Sequence, residues 1–275
     1  MSDKFFSKNQ WALVLGSSSG FGGATALELA KRGMSIYGVH FDRAATLPNA
    51  EKILGEVKKA GVNGRFFNVN ASDESNRNEI LDEIRKDFDS DKTATLKVIL
   101  HSLAFGTLRP FVASNKEEMI SQKQMEMTLD VMASSLVYWV QGAFGRKLLK
   151  SGSRIYAMTS SGSHMVIPDY GAVSAAKAAL ESNIRQLAME LGPHGITATS
   201  ILAGVTDTPA LRKIPSGLEL LDYARSKNPG RRTTTPEDVA KVISLLSRDE
   251  TAWVSGGVIA IDGGEDITSF LPRTD

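Results

Sequence analysis

The apolar run Ala12–Leu15 breaks directly into Gly16-Ser17-Ser18-Ser19-Gly20-Phe21-Gly22, and a helical pattern starts with no loop between them. Ala24, Leu27, Ala30 and Lys31 carry that pattern. A strand that turns so tightly into a helix leaves few options for the rest of the chain. The helix must run back along the strand, and the next strand must lie parallel to the first.

The rest of the sequence repeats this alternation. Further apolar runs fall at Ile36–Val39, Gly64–Val69, Leu96–Leu100, Arg154–Met158, Thr197–Ile201 and Gly257–Ile261. Most are continuously apolar, as expected of strands covered by helices on both faces. Between them lie helical repeats such as Ala176, Leu180, Ile184, Leu187 and Leu191. The pattern predicts an α/β fold, a Rossmann-like doubly wound parallel sheet of about seven strands with helices on both faces. The 275 residues, 42% of them hydrophobic, suffice for one domain over 1–275. One segment departs from the rhythm. Thr206 to Thr235 holds Pro209, Pro215, Gly217, Pro229 and Gly230, and Pro236 starts the last helix. A long insertion after a strand's carboxyl end is expected to form a substrate lid.

Composition removes several function classes. The net charge of +1 gives no basic footprint for nucleic acid. With no cysteine there are no disulfides, no thiolate nucleophile and no cysteine-ligated zinc. His40, His101, His164 and His194 have no partners at metal-ligand spacing, so no metal site is expected. No run approaches the ~18 apolar residues of a membrane span, and the beginning of the chain has no signal-like segment. The expectation is a cytoplasmic protein.

Two clusters carry chemistry. Glycines at 16, 20 and 22 make a tight turn and let the backbone approach a pyrophosphate at a helix N-terminus, while three serines add hydroxyl donors. A plain strand–helix turn would use similar residues. The second cluster follows the fifth strand: Ser160, Ser161, then Tyr170, then Lys177 two helical turns further on. A phenol that donates a proton needs polarisation, which a nearby ammonium supplies by favouring the phenolate. A packed tyrosine with a solvated lysine is the alternative.

On these residues the chain resembles the short-chain dehydrogenases/reductases over nearly its whole length. Most of that family has Tyr-x3-Lys, but Val173 stands four residues before Lys177 here. The Tyr-x6-Lys spacing of Tyr170 and Lys177 resembles the enoyl-acyl carrier protein reductases of bacterial fatty-acid synthesis. So do His101-Ser102-Leu103-Ala104-Phe105, Asp207-Thr208-Pro209-Ala210-Leu211 and the stretch from Val258 to Gly264. The glycine turn keeps the general-family pattern. Ser160 stands where many enoyl reductases have a tyrosine, and Met132 stands where general members place a helix asparagine. That mixture resembles the NADPH-dependent branch of the enoyl reductases.

The resemblance implies reduction of a trans-2-enoyl thioester carried on acyl carrier protein or CoA, by a homotetramer. It implies Tyr170, Lys177 and Ser160 as catalytic residues. The cofactor would be held by Gly16, Ser18, Ser19, Gly20, Phe21, Gly22, Ser102, Lys177, Thr206 and Thr208, with Asn68 and Val69 edging the adenine. Phe105, Leu211, Ile214 and Leu218 are candidates for acyl contacts. His101 reads as structural support. Met125, Met127, Leu129, Met132 and Leu136 read as helix core or a helix–helix face rather than an acyl stripe. Arg225, Lys227, Arg231 and Arg232 form a solvated face or attract an acidic carrier. The second strand ends near His40, which is not acidic, and Arg43 follows with Asp42 between. NADPH is therefore the expected cofactor, with NADH the alternative. Competing readings are a ketone or alcohol oxidoreductase, acting for example on a 3-oxoacyl thioester, and a non-catalytic dinucleotide sensor.

Overall fold

The apolar runs become β1 (Gln10–Leu15), β2 (Ser35–His40), β3 (Gly64–Asn68), β4 (Thr95–His101), β5 (Arg154–Thr159), β6 (Thr197–Ala203) and β7 (Val258–Ile261). The structure, a computed structural model, describes residues 4–214 and 216–269. All seven strands pair in parallel in one sheet of order β3-β2-β1-β4-β5-β6-β7. The predicted bounds hold to within two residues.

Alternation along β1 shows why both faces are apolar. Leu13 and Leu15 point into one core with Ile80, Trp139, Leu180 and Ile184, while Ala12 and Val14 point into the other with Ala26, Leu29, Val239 and Ile243. The first core is covered by α3 (Glu74–Ser90), α5 (Ser135–Gly145) and α6 (Gly171–Leu191), the second by α1 (Gly20–Lys31), α2 (Leu47–Lys59) and α8 (Pro236–Leu246). The edge strands β3 and β7 are only half covered, which explains Arg65 in the middle of β3.

The chain reverses its direction of travel across the sheet between β1 and β4. In such sheets the crevice at that switch point is the ligand site. Here the Ser102 N–H donates to the Leu15 carbonyl at 2.9 Å, which holds the two strand ends side by side.

Two departures from regular structure lie next to that crevice. α4 (Gln122–Leu129) runs into α5 through a widened turn at Asp130–Ser134, where the Ser135 N–H reaches back five residues to the Asp130 carbonyl. Such turns occur mostly at functional sites. Met132 and Leu136 of the methionine-rich stripe are buried beside it, and Met125, Met127 and Leu129 are half-buried. The segment expected as a lid contains a short turn at Leu211–Lys213 and α7 (Gly217–Lys227). Pro215 lies outside the described residues.

Candidate active site

The glycine turn closes tightly on its neighbours. Gly16 has φ +92°, and a Cβ there would stand 2.4 Å from the Ser102 carbonyl oxygen. A Cβ on Gly22 would stand 2.1 Å from the Gly16 carbonyl oxygen. Only glycine fits either place, so the turn brings β1, β4 and the start of α1 together with no side chain between. Ser19 caps α1 without a side-chain hydrogen bond, and the first turn carries no acid. The helix N-terminus keeps its free N–H groups and its positive end unopposed, which is the arrangement that holds a phosphate. The residues present fit a dinucleotide.

β5 delivers the second cluster. Ser160 leaves the strand's carboxyl end, and Gly162 lets the chain double back. A Cβ on Gly162 would stand 2.7 Å from Tyr170 Cε1 and 3.3 Å from Ser160 Oγ. The phenol ring and the serine hydroxyl therefore converge on one spot. Burial pushes the Tyr170 phenol up, and the facing Ser160 hydroxyl pulls it back down. Ser160 Oγ is buried and completes no hydrogen bond. It is a polar group aimed at the phenol with its bonding capacity unspent.

Tyr170 is the residue before the first turn of α6, not part of the helix as the spacing suggested. Asp169 just before it takes φ +59°, a left-handed conformation that costs a non-glycine residue energy. Lys177 lies inside α6, and its ammonium donates to the Met158 carbonyl at 2.6 Å. Burial lowers its pKa from 10.5 to about 8, and Glu181 partly offsets that. The expected lowering of the phenol by Lys177 is not what shapes Tyr170 here. The ammonium is turned onto β5, and burial dominates the phenol and raises its pKa, with the facing Ser160 hydroxyl opposing that only in part.

Val173, at the usual family tyrosine position, is in an apolar cluster with Met132 and Ala176, against Leu108, Leu129, Val131 and Tyr170. The loop after β4 closes that cluster. A Cβ on Gly106 would meet Thr128 Cγ2 at 2.8 Å, Val173 Cγ2 at 3.0 Å and Met132 Sδ at 3.1 Å.

These features coincide with known proteins. A family described as Enoyl-(Acyl carrier protein) reductase matches residues 16–265. The chain belongs to that family of short-chain dehydrogenases/reductases. Among its relatives is a 1-cyclohexenylcarbonyl-CoA reductase of Streptomyces collinus, 27% identical over 95% of this chain and 89% of the relative. Another is a cyclohexanol dehydrogenase of a Rhodococcus species, 30% identical over 96% and 98%. The enoyl-[acyl-carrier-protein] reductase (NADH) of Aquifex aeolicus has the same fold, with a TM-score of 0.82 over 95% of this chain and 98% of that one, at 22% identity. The relatives are oxidoreductases, and this chain is an oxidoreductase of the same superfamily.

In this oxidoreductase the far end of the crevice is formed by β2 and β3. Asp42 turns inward, its side chain only 13% exposed, with Oδ2 2.9 Å from His40 Nδ1. Burial pushes its carboxyl up, but hydrogen bonds from Thr46, Ser18 and His40 outweigh burial and hold it below the usual carboxylate range. Asn68 ties Asp42 down further, accepting from its N–H at 2.8 Å and donating to its carbonyl at 3.0 Å. Arg43 is exposed. Val69 donates its N–H to the His40 carbonyl. The Ser18 carbonyl accepts from Asn49 of α2, so the glycine turn and this end are linked.

Thr206 and Thr208 follow β6, and Thr206 Oγ1 donates to the Gly204 carbonyl at 2.9 Å. Gly20 faces Thr208, since a Cβ there would stand 3.6 Å from Thr208 Cγ2. Thr208 therefore sits across from the start of α1. Leu211 and Ile214 are half-buried in the segment expected as a lid, and Phe105 is exposed on the loop after β4. His101 is fully buried and donates from Nε2 to Ser135 Oγ at 2.9 Å, since that hydroxyl is itself spent on the Val131 carbonyl. Burial lowers its pKa to about 3, so it is a neutral support for the loop. Among the described residues no group of three or more His, Asp or Glu is placed to hold a metal ion, and no helix is long and apolar enough to cross a membrane.

Sequence reading missed Phe111. Its ring lies directly on the start of α6, where a Cβ on Gly171 would stand 2.6 Å from Cζ. The available signal was the glycine immediately after Tyr170.

Proposed function

We propose that this protein reduces the carbon–carbon double bond of trans-2-enoyl thioesters with NADPH. The observation that carries the reading is where the proton donors stand. Tyr170 borders the crevice ahead of α6, while the usual tyrosine position holds Val173, packed under the loop after β4. An enoyl thioester accepts hydride at its β-carbon, so charge develops on an oxygen two bonds further from the nicotinamide than a ketone oxygen would be. A donor set back along the chain suits the more distant oxygen.

When bound, the nicotinamide supplies the hydride. Tyr170 hydrogen-bonds the thioester oxygen and stabilises the charge that develops there. Ser160 faces the phenol and eases the partial release of its proton. Lys177, anchored on the Met158 carbonyl, has further N–H groups for the ribose hydroxyls. The α1 N-terminus and the serines of the turn bind the pyrophosphate, and Thr206 and Thr208 bind the carboxamide side. Phe105, Leu211 and Ile214 line the way in for the acyl chain, delivered on acyl carrier protein or CoA.

Ser160 favours a second reading, a ketone or alcohol oxidoreductase, because its unspent hydroxyl sits where a carbonyl oxygen needs a second donor. The similarity to the Rhodococcus cyclohexanol dehydrogenase points the same way. Crotonyl and acetoacetyl thioesters, each tested with NADPH and NADH by absorbance loss, separate the two. Faster consumption with crotonyl thioester supports enoyl reduction. The reverse order selects the second reading.

A further inference from the structure

We infer that Glu265 is a positioning residue: its carboxyl, buried behind the root of the lid, sets the placement of residues 204–208 and so the nicotinamide end of the cofactor site. The inference rests on the reading of Thr206 and Thr208 as cofactor ligands.

The turn after β7 grips both ends of the lid. At the near end, Glu265 Oε1 accepts the Val205 N–H at 3.1 Å. At the far end, Asn228 Nδ2 donates to the Asp262 carbonyl at 2.7 Å, and Asn228 Oδ1 accepts the Gly230 N–H at 2.8 Å. The turn is itself pinned, with the two Asp262 carboxylate oxygens accepting from the N–H groups of Gly264 and Asp266. Residues 205 and 228 are thus held by two groups three positions apart on one turn, the Glu265 side chain and the Asp262 backbone carbonyl.

Glu265 is 5% exposed, and its second oxygen, Oε2, is buried with no hydrogen-bond partner. That oxygen closes on the backbone just before Thr206: a Cβ on Gly204 would stand 3.0 Å from it and 2.4 Å from Thr234 Oγ1. A buried carboxylate with one oxygen unpartnered is costly, so the site shifts this group toward its neutral form. Burial raises the pKa of the group above the ordinary glutamate value. The Val205 N–H, Lys227 of α7 and Asn228 pull it back, and Asp262 pushes it further up. Ionisation would place a charge at the lid root that draws on Lys227 and changes how residues 204–208 are held. The neutral form is lost as pH rises through the folded pKa, so cofactor binding should weaken in that direction.

The test is direct NADPH and NADH titration by nicotinamide fluorescence, with wild type, Glu265→Gln and Glu265→Ala. It is run between about pH 5 and 7, where Lys177, with its pKa lowered only to about 8, stays largely protonated. Wild-type affinity should fall with rising pH. Glu265→Ala should bind roughly 5–50-fold more weakly throughout, the cost of an unpaired buried N–H and a loosened segment. Glu265→Gln, which keeps the acceptor and cannot ionise, should restore affinity and flatten the pH dependence. A Glu265→Gln profile parallel to wild type, or Glu265→Ala binding within twofold of wild type, overturns the inference while leaving the cofactor site intact. If Glu265→Ala fails to fold, the Glu265→Gln profile decides alone. If wild type binds neither nucleotide, the reading of the site falls and this inference with it.

Discussion

Gly106 lies against Val173 so closely that a Cβ on the glycine would stand 3.0 Å from Val173 Cγ2. The two belong to different parts of the chain, the loop after β4 and the first turn of α6. Their contact fills the place from which a tyrosine four residues before the lysine would act. Valine at that position is therefore not an isolated difference from Tyr-x3-Lys. The loop after β4 packs directly against it.

Gly106→Ala should therefore destabilise by about 1–3 kcal/mol through overpacking. Val173→Ala in the same chain should recover part of that loss, because the two changes share one contact. Thermal denaturation of the four proteins in the cycle measures it. Strictly additive effects would mean that the loop does not bear on Val173.

Tyr170→Phe should lower kcat by about 10²–10³, the usual cost of one donor to a developing oxyanion, with cofactor affinity nearly unchanged. Adding Val173→Tyr should not restore turnover, because Gly106, Thr128 and Met132 already occupy that space. Stopped-flow NAD(P)H consumption with crotonyl thioester reads both. Recovery in the double variant would show that the position of the phenol does not matter.

The parts of this fold that were legible in the sequence are those written in apolar continuity and glycine spacing. The five inner runs stood out as strands because strands covered on both faces have no polar period, and the half-covered edge runs were short and apolar enough to follow them. Gly16 and Gly22 gave the turn because a Cβ at either place collides with backbone. Contacts between distant segments were not legible. Gly106 on Val173, Phe111 on Gly171 and Glu265 on Val205 each join loops whose approach depends on how whole elements pack. The effect assigned to Lys177 on the phenol went wrong for a related reason. Spacing of seven residues put both groups on one helix, but the helix starts after Tyr170 and the ammonium finds a carbonyl on β5.

Lys177 gives a pH dependence whose sign differs between function and stability. Its folded pKa is lowered from 10.5 to about 8. As pH rises through about 8, the ammonium is lost and cofactor affinity should fall with it. Across the window from there to 10.5 the unfolded chain binds the proton that the folded chain has released, so this group's contribution to stability rises with pH. Lys177→Met should weaken cofactor binding and abolish both trends. Fluorescence titration and urea unfolding at several pH values test this. Affinity unchanged from pH 7 to 9 in the wild type would remove Lys177 from the ribose.

Cofactor choice turns on which charge faces the adenosine ribose. Asp42 would favour a free 2′-hydroxyl and repel a 2′-phosphate if it pointed outward. It points inward instead, its carboxylate engaged by His40 and by the hydroxyls of Thr46 and Ser18. Arg43, on the exposed side of the same loop, is left as the group a phosphate would meet. A guanidinium–phosphate pair is worth about 1.5–3 kcal/mol, so Arg43→Ala should raise the KM for NADPH roughly 10–150-fold and leave that for NADH unchanged. His40→Ala should also disfavour NADPH, by a different route. It frees the Asp42 carboxylate to turn outward, so NADPH should weaken and NADH improve. Steady-state kinetics of both variants with both nucleotides is the check. If Arg43→Ala shifts the two KM values equally, Arg43 does not read the 2′-phosphate, and NADH becomes the cofactor to expect.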